Sequence, residues 1–257
     1  HGPLELVFTI CEETGLLGAK NLDCSMISSR YGYSLDTSDT GSIITSAPAA
    51  NRFELAVHGR SAHAGADPEK GINAVSVAGR AIAGLELGRI DADTTANIGV
   101  IQCQGATNIV PDRVLVKGEI RSHNPAMLES VSSAIVDSFR AAAENFPGRD
   151  PEEDLPRISV DMKNEFPATS IPEDHPVIRF AFTAAEKLGR KLAARRTGGG
   201  SDANIFFDKG IVTAVMGTGM QDIHTVREWI KLDDMVEAAG LLIEIILTHA
   251  GDGKESR

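Results

Sequence analysis

The chain has 257 residues, enough for one large or two modest domains, and its 42% hydrophobic and 24% charged residues exclude disorder. Asp and Glu (36) outnumber Lys and Arg (25), a formal charge of −11 and the wrong sign for neutralising phosphate backbones, so nucleic acid is not expected as a partner. No apolar run approaches the roughly 20 residues of a membrane span; Cys11, Cys24 and Cys103 suit neither a disulfide framework nor a zinc knuckle, no signal peptide is read, and a cytoplasmic location is expected.

Leu4 to Ile10 is a nearly continuous apolar run and predicts a strand covered on both faces. A helix over Gly15 to Leu22 and a second strand over Tyr31 to Leu35 continue an α/β rhythm. A buried strand needs sheet neighbours, so further strands are expected before it. After the small-residue break at Ala47 to Ala50, Phe53, Leu55 and Val57 alternate with polar residues as in a half-buried antiparallel strand. Next come a helix over Ile72 to Leu87 and strands over Ala96 to Ile101 and Val114 to Ser122. Asn124 and Pro125 open a helix with Leu128, Val131, Ile135 and Phe139 on one face, and Arg157 to Lys163 supplies a last strand. This order is a split βαβ pattern. From about Pro167 the α/β rhythm returns: a helix capped at Asp174, a short strand near Ala193, a turn at Gly198 to Gly200, a strand over Ile211 to Met216 and an amphipathic helix over Asp233 to Thr248. Residues 1–48 and 168–257 thus read as one α/β domain interrupted by an α+β domain over residues 49–167.

Chemistry concentrates at the ends of the predicted strands, where open α/β sheets place ligands. Glu12 and Glu13 follow the first strand directly; the competing reading makes them acidic residues in the first turn of the next helix. Asp36 ends the second strand, with Asp39 as a competitor, although an Asp in Asp-Thr-Ser-Asp-Thr-Gly also suits a turn that bonds its own backbone. His224 lies just beyond the strand ending at Met216; the alternative is a solvated loop histidine. Together Glu13, Asp36 and His224 offer an oxygen, oxygen, nitrogen set suited to zinc, with Glu12 beside it to act on a metal-bound water.

Five motifs then occur in order: Val-Phe-Thr-Ile-Cys-Glu-Glu-Thr-Gly-Leu-Leu-Gly-Ala-Lys (7 to 20), His-Gly-Arg-Ser-Ala-His-Ala-Gly (58 to 65), Thr-Asn-Ile-Val-Pro-Asp (107 to 112), Gly-Gly-Gly-Ser-Asp-Ala-Asn (198 to 204) and His-Thr (224 to 225). In these the chain resembles the dinuclear zinc exopeptidases that include carboxypeptidase G and the aminoacylases, and most of all their peptidase T-like branch. The resemblance implies a three-layer α/β/α catalytic domain carrying an inserted ferredoxin-like α+β lid that also forms a homodimer. It implies hydrolysis of peptide bonds in small peptides by a zinc-activated water with Glu12 as general base, two zinc ions in a complete site, Glu13 and His224 on one and Asp36 on the other. His63 matches a lid histidine that reaches the scissile carbonyl from the partner subunit, and Asn108, Arg121, Gly199, Gly200 and Ser201 match substrate-holding positions. Locally, Asn108 also suits a turn before Pro111, Arg121 a solvated strand position and Ser201 a helix cap.

The family's His-x-Asp motif and its later metal-bridging Asp precede the Glu-Glu pair, and this chain starts eleven residues before Glu12. The resemblance therefore implies that the N-terminal part of the catalytic domain is missing here. At most one weakly held zinc at Glu13 and His224 is expected of this chain, which by itself is then inactive. Two other functions stay open: an N-acyl-amino-acid amidohydrolase of the same family, and a non-catalytic dimerising fragment.

Overall fold

The computed structural model describes residues 1–255. The chain divides into two compact units, His1–Pro48 with Phe166–Arg257, and Ala49–Glu165.

The first unit is built on a five-stranded mixed sheet. Strand β1 (Tyr31–Thr37) lies parallel to β10 (Val212–Gly217), and β10 runs antiparallel to β2 (Ser42–Ala47). β2 pairs in turn with β8 (Thr169–Ser170) and, in parallel, with β9 (Ala193–Arg196). Because successive strand side chains point to opposite faces, the two facing pairs of β10 and β2 serve different layers. Met216 and Ile43 pack against α4 (Pro176–Lys187) and α6 (Leu232–Glu255) with Val177, Ile178, Leu241 and Ile245. Val215 and Ile44 pack on the other side against Ala203 of α5 (Asp202–Asp208). α1 (Leu17–Asn21) joins α5 through Leu16, Ala19 and Ile205. Helices on both faces of the sheet give the three-layer α/β/α arrangement.

Two expectations for this unit are corrected. Residues 4–10 form no strand: among the described residues they take no part in either sheet, and Leu6 (81% exposed) and Phe8 (91%) face outward. Hydrophobicity marks a strand only where another strand supplies ladder partners. The segment is instead held by its polar residues. The Glu5 carboxylate accepts hydrogen bonds from the backbone N–H and hydroxyl of both Ser28 and Ser29, which hold its pKa down at about 2. The helix after Pro167 is capped by His175, whose Nδ1 accepts from Val177 N at 3.3 Å, and not by Asp174; Pro176 sets the first helical residue one position later. Strand β2 is also absent from the sequence reading, because Ser42-Ile43-Ile44-Thr45-Ser46-Ala47 has no alternation.

The second unit is a five-stranded sheet in the order β4-β5-β6-β3-β7, formed by β3 (Ala49–His58), β4 (Gly88–Arg89), β5 (Thr94–Cys103), β6 (Arg113–Ser122) and β7 (Arg157–Phe166). With α2 (Ala74–Ala83) and α3 (Pro125–Glu144) it has ferredoxin-like split βαβ connectivity. Phe53, Leu55 and Val57 on β3, Val114, Val116 and Ile120 on β6, Val77 on α2 and Ile135 and Phe139 on α3 are sealed from solvent. Asn124 caps α3, its Oδ1 accepting from Ala126 N at 2.9 Å. The residues that alternate with this core carry ion pairs, such as Glu54 with Lys117 at 2.8 Å. Phe139→Ala removes a fully buried ring and is expected to destabilise this unit by about 3–5 kcal/mol, read as a lower urea midpoint by circular dichroism.

Candidate active site

Three segments of the first unit converge on one cavity of about 290 Å³. The first is the turn before α1. Glu12 O accepts Gly15 N at 3.2 Å and Leu16 N at 2.9 Å, Cys11 O accepts Leu17 N at 3.2 Å, and Ile10 O accepts Gly18 N at 2.9 Å. Cys11 and Leu16 take left-handed backbone conformations, φ +56° and +58°. A Cβ on Gly18 would stand 2.4 Å from Ile10 O, so only glycine allows α1 to pack this closely on the turn. A turn, unlike a strand, lets consecutive side chains share one side, and Glu12 and Glu13 both line the cavity.

The second segment is the end of β1, which brings Asp36. Thr218 N donates to Thr37 O at 2.7 Å and Gly219 N to Ser38 O at 3.0 Å, tying the C-terminal ends of β1 and β10 together. Gly217 is required here: a Cβ would lie 1.9 Å from Asp39 O. Asp39 is a turn residue, its Oδ1 accepting Gly41 N at 2.9 Å, and it does not line the cavity.

The third segment is the loop after β10, closed on itself by Gln221 and Trp229, each donating its N–H to the other's carbonyl at 2.9 and 3.2 Å. Inside it His224 has φ +61°, and its N–H donates to Glu228 Oε2 at 3.2 Å. The ring Nδ1 stands 2.9 Å from Glu13 Oε2. Gly199, Gly200 and Ser201 complete the wall; the Ser201 hydroxyl is engaged as the α5 cap, accepting from Ala203 N at 3.3 Å, and Ser201 N donates to Asn204 Oδ1.

The cavity is anionic. Glu12, Glu13, Asp36 and Glu228 line it with the His224 imidazole, and among the described residues no Lys or Arg contributes. Burial and then the charges of Asp36, Glu13 and Asp202 push Glu12 up to about 7, with His224 opposing. Asp36 touches solvent through the cavity, yet the walls around it, followed by Asp202 and Glu13, raise it to about 6. Among the described residues no three His, Cys, Asp or Glu side chains stand as a formed metal-ligand group. Glu13 and His224 are turned onto each other instead, the local way to offset one of several crowded negative charges.

The other sequence-derived residues belong to the second unit. His63 Nδ1 accepts the N–H groups of Gly65 and Ala66, both at 3.1 Å, which assigns the ring proton to Nε2. Asn108 is exposed and its carbonyl accepts Ala64 N at 2.9 Å. Arg121 presents its fork to Glu119, Nε at 2.9 Å and Nη2 at 3.2 Å. Sequence reasoning misses Glu228, whose signal is its place four residues after His224 in a closed loop, and leaves Thr9 and Asp202 without a role.

Residues 48–147 match the M20-type peptidase dimerisation domain. An uncharacterised Bacillus subtilis (strain 168) protein, YqjE, is 39% identical over 96% of this chain and 64% of its own length. The crystal structure of the aminopeptidase PepT from Bacillus cereus superposes with a TM-score of 0.83 at 37% identity, over 94% of this chain and 63% of that one. A Staphylococcus aureus tripeptidase gives a TM-score of 0.84 at 32% identity over the same shares. The chain spans 58–64% of the length of the curated relatives it matches, which include peptidase T proteins 22–24% identical to it. The chain is thus similar in sequence to peptidase T proteins and in fold to the PepT aminopeptidase, and its residues 48–147 match the peptidase dimerisation domain.

Proposed function

We propose that this chain forms part of a peptidase T-like zinc exopeptidase that cleaves small peptides. The observation that carries the reading is the convergence of Glu12, Glu13, Asp36 and His224 on one anionic cavity. The donor chemistry fits zinc: two carboxylates and an imidazole, at a place where negative charge exceeds positive. Glu13 and His224 would hold one ion and Asp36 a second. Three donors are too few for two ions, so the reading takes the further ligands from sequence outside these 257 residues. The chain alone then holds at most one zinc, weakly, at Glu13 and His224.

A divalent ion bound there supplies a Lewis acid for a peptide carbonyl and lowers the pKa of a coordinated water toward neutrality. Glu12 is the carboxylate left without a ligand role. It takes the proton from the attacking water at its carboxylate and returns it to the leaving amine. A pKa lifted toward neutrality suits a group that must do both. His63 offers Nε2–H to the carbonyl oxygen, its tautomer fixed by the Gly65 and Ala66 amides. Asn108, Arg121 and the Gly199 to Ser201 backbone hold the substrate, Arg121 by exchanging Glu119 for a substrate carboxylate. The second unit serves as lid and homodimer interface, and the enzyme works in the cytoplasm.

Glu12→Gln in the complete gene product is expected to lower kcat on di- and tripeptides by about 10²–10⁴-fold while zinc content by metal analysis stays unchanged. Retained activity would refute the assignment, and faster turnover of N-acetyl amino acids than of peptides would favour the amidohydrolase. Light scattering should give twice the chain mass; a monomer at high concentration would count against the homodimer.

The raised carboxylates also set a pH dependence. Glu12 at about 7 and Asp36 at about 6 lie above their ordinary values, so between about pH 4 and 7 the folded state binds more protons than the unfolded one. Their contribution to stability is present below pH 4 and lost as the pH rises through 6 and 7. In chelator, the melting temperature of Glu12→Gln relative to the unsubstituted chain should therefore rise from pH 4 to pH 8. A difference that stays constant with pH would show that Glu12 titrates normally.

A further inference from the structure

Asp202 is buried (7% exposed), yet only one of its oxygens has a partner: Thr9 Oγ1 donates to Oδ2, while Oδ1 is sealed from solvent with no hydrogen bond. A buried carboxylate left half-satisfied costs stability, and such a group in a folded protein calls for a reason. The reason lies in what its partner holds. Thr9 immediately precedes the turn that carries Glu12 and Glu13, and that turn runs into α1.

The far end of α1 is held by the same helix that carries Asp202. Lys209, the C-terminal cap position of α5, donates from Nζ to the carbonyls of Ala19, Lys20 and Leu22 at 2.8, 2.9 and 3.0 Å. Between the two polar attachments Leu16 and Ala19 pack on Ile205. The Glu12–Glu13 turn is thus suspended between two attachments to α5, one before it and one after. Lys209 fixes α1; on the entering side Thr9 is the attachment to α5, next to the Ile10 carbonyl that accepts Gly18 N and downstream of the Glu5 bonds to Ser28 and Ser29. The neighbouring residues 4–8 have no sheet partner among the described residues and are exposed.

We propose that Asp202 is a positioning residue which, through Thr9, orients the turn presenting Glu12 and Glu13 to the cavity. This inference rests on the reading of Glu13 as a metal ligand and deepens it. Asp202 sits outside the proposed ligand set and does not line the cavity; it acts on the backbone that aims the ligands, as groups behind first ligands do.

Two readouts separate this role from simple structural support. The first is zinc affinity by chelator competition in the complete gene product; the second is hydrogen exchange of the bonded amides of Gly15, Leu16, Leu17 and Gly18. Thr9→Val, a small change unlike the core-disrupting Asp202→Ala, should weaken zinc about tenfold or more and speed exchange at these amides without lowering the melting temperature in proportion. Thr9→Ser keeps the hydroxyl and should restore both readouts to within about twofold. The double variant Thr9→Val/Asp202→Ala should weaken zinc no further than Asp202→Ala alone, because both remove one interaction. Unchanged exchange and zinc affinity in Thr9→Val, or full additivity in the double variant, would overturn the proposal. If the unsubstituted protein binds no zinc, the functional reading fails, and the exchange measurement alone still decides whether Asp202 sets the turn.

Discussion

The constraint on which the first unit depends is electrostatic: several carboxylates are held around one small cavity with a single imidazole among them. Like charges brought together out of bulk water oppose folding, and Glu12 and Asp36 respond by retaining protons well above the usual carboxylate range. Such an arrangement persists only if the backbone leaves the side chains no escape. Each segment that delivers an acid is accordingly fastened by devices unrelated to the acid itself. The Glu12 turn has Gly18 against Ile10, Asp36 has the Gly217 crossing, and His224 sits in a loop closed at Gln221 and Trp229.

Those fastenings trace back to the sheet. Val215 and Met216 send their side chains to opposite layers, so β10 is gripped from both sides by core before its last residue. Its C-terminal end is therefore a fixed point. The backbone bonds from Thr218 and Gly219 to Thr37 and Ser38 transfer that fixity to the end of β1. A steric fact closes the arrangement: at Gly217 any side chain would collide with the Asp39 carbonyl, so the two strand ends approach as closely as backbones can. Packing energy spent in the interior thus becomes positional precision at the rim, where repulsive groups must be kept near one another.

Much of this was legible from the residues. In the second unit, the alternation of Phe53, Leu55 and Val57 and the Asn124-Pro125 helix start are local signals with local causes, and they placed β3 and α3 closely. Strand ends pointed to Asp36 and the loop of His224, both of which line the one cavity. What the sequence could not show depends on partners distant in the chain. Leu4 to Ile10 looks like a strand because apolarity is local, whereas a ladder needs a neighbour. β2 was overlooked for the reverse reason: buried on both faces between β10 and β9, it shows no alternation to detect. His175 displaced Asp174 as a cap by one position, a distinction set by where the helical backbone begins. Glu228 acts through the N–H of His224, a contact that exists only once the loop has closed.

The chemistry of the cavity also constrains what it can hold. Among the described residues no Lys or Arg lines it, so it offers an anion no cationic side chain to pair with, and the Gly199 amide is already engaged by Thr197 Oγ1. In the second unit the fork of Arg121 is already arranged on a carboxylate, that of Glu119, and the pair is only partly buried. A partly exposed pair of this kind is worth little, so little stability is lost when the Arg121 fork leaves Glu119.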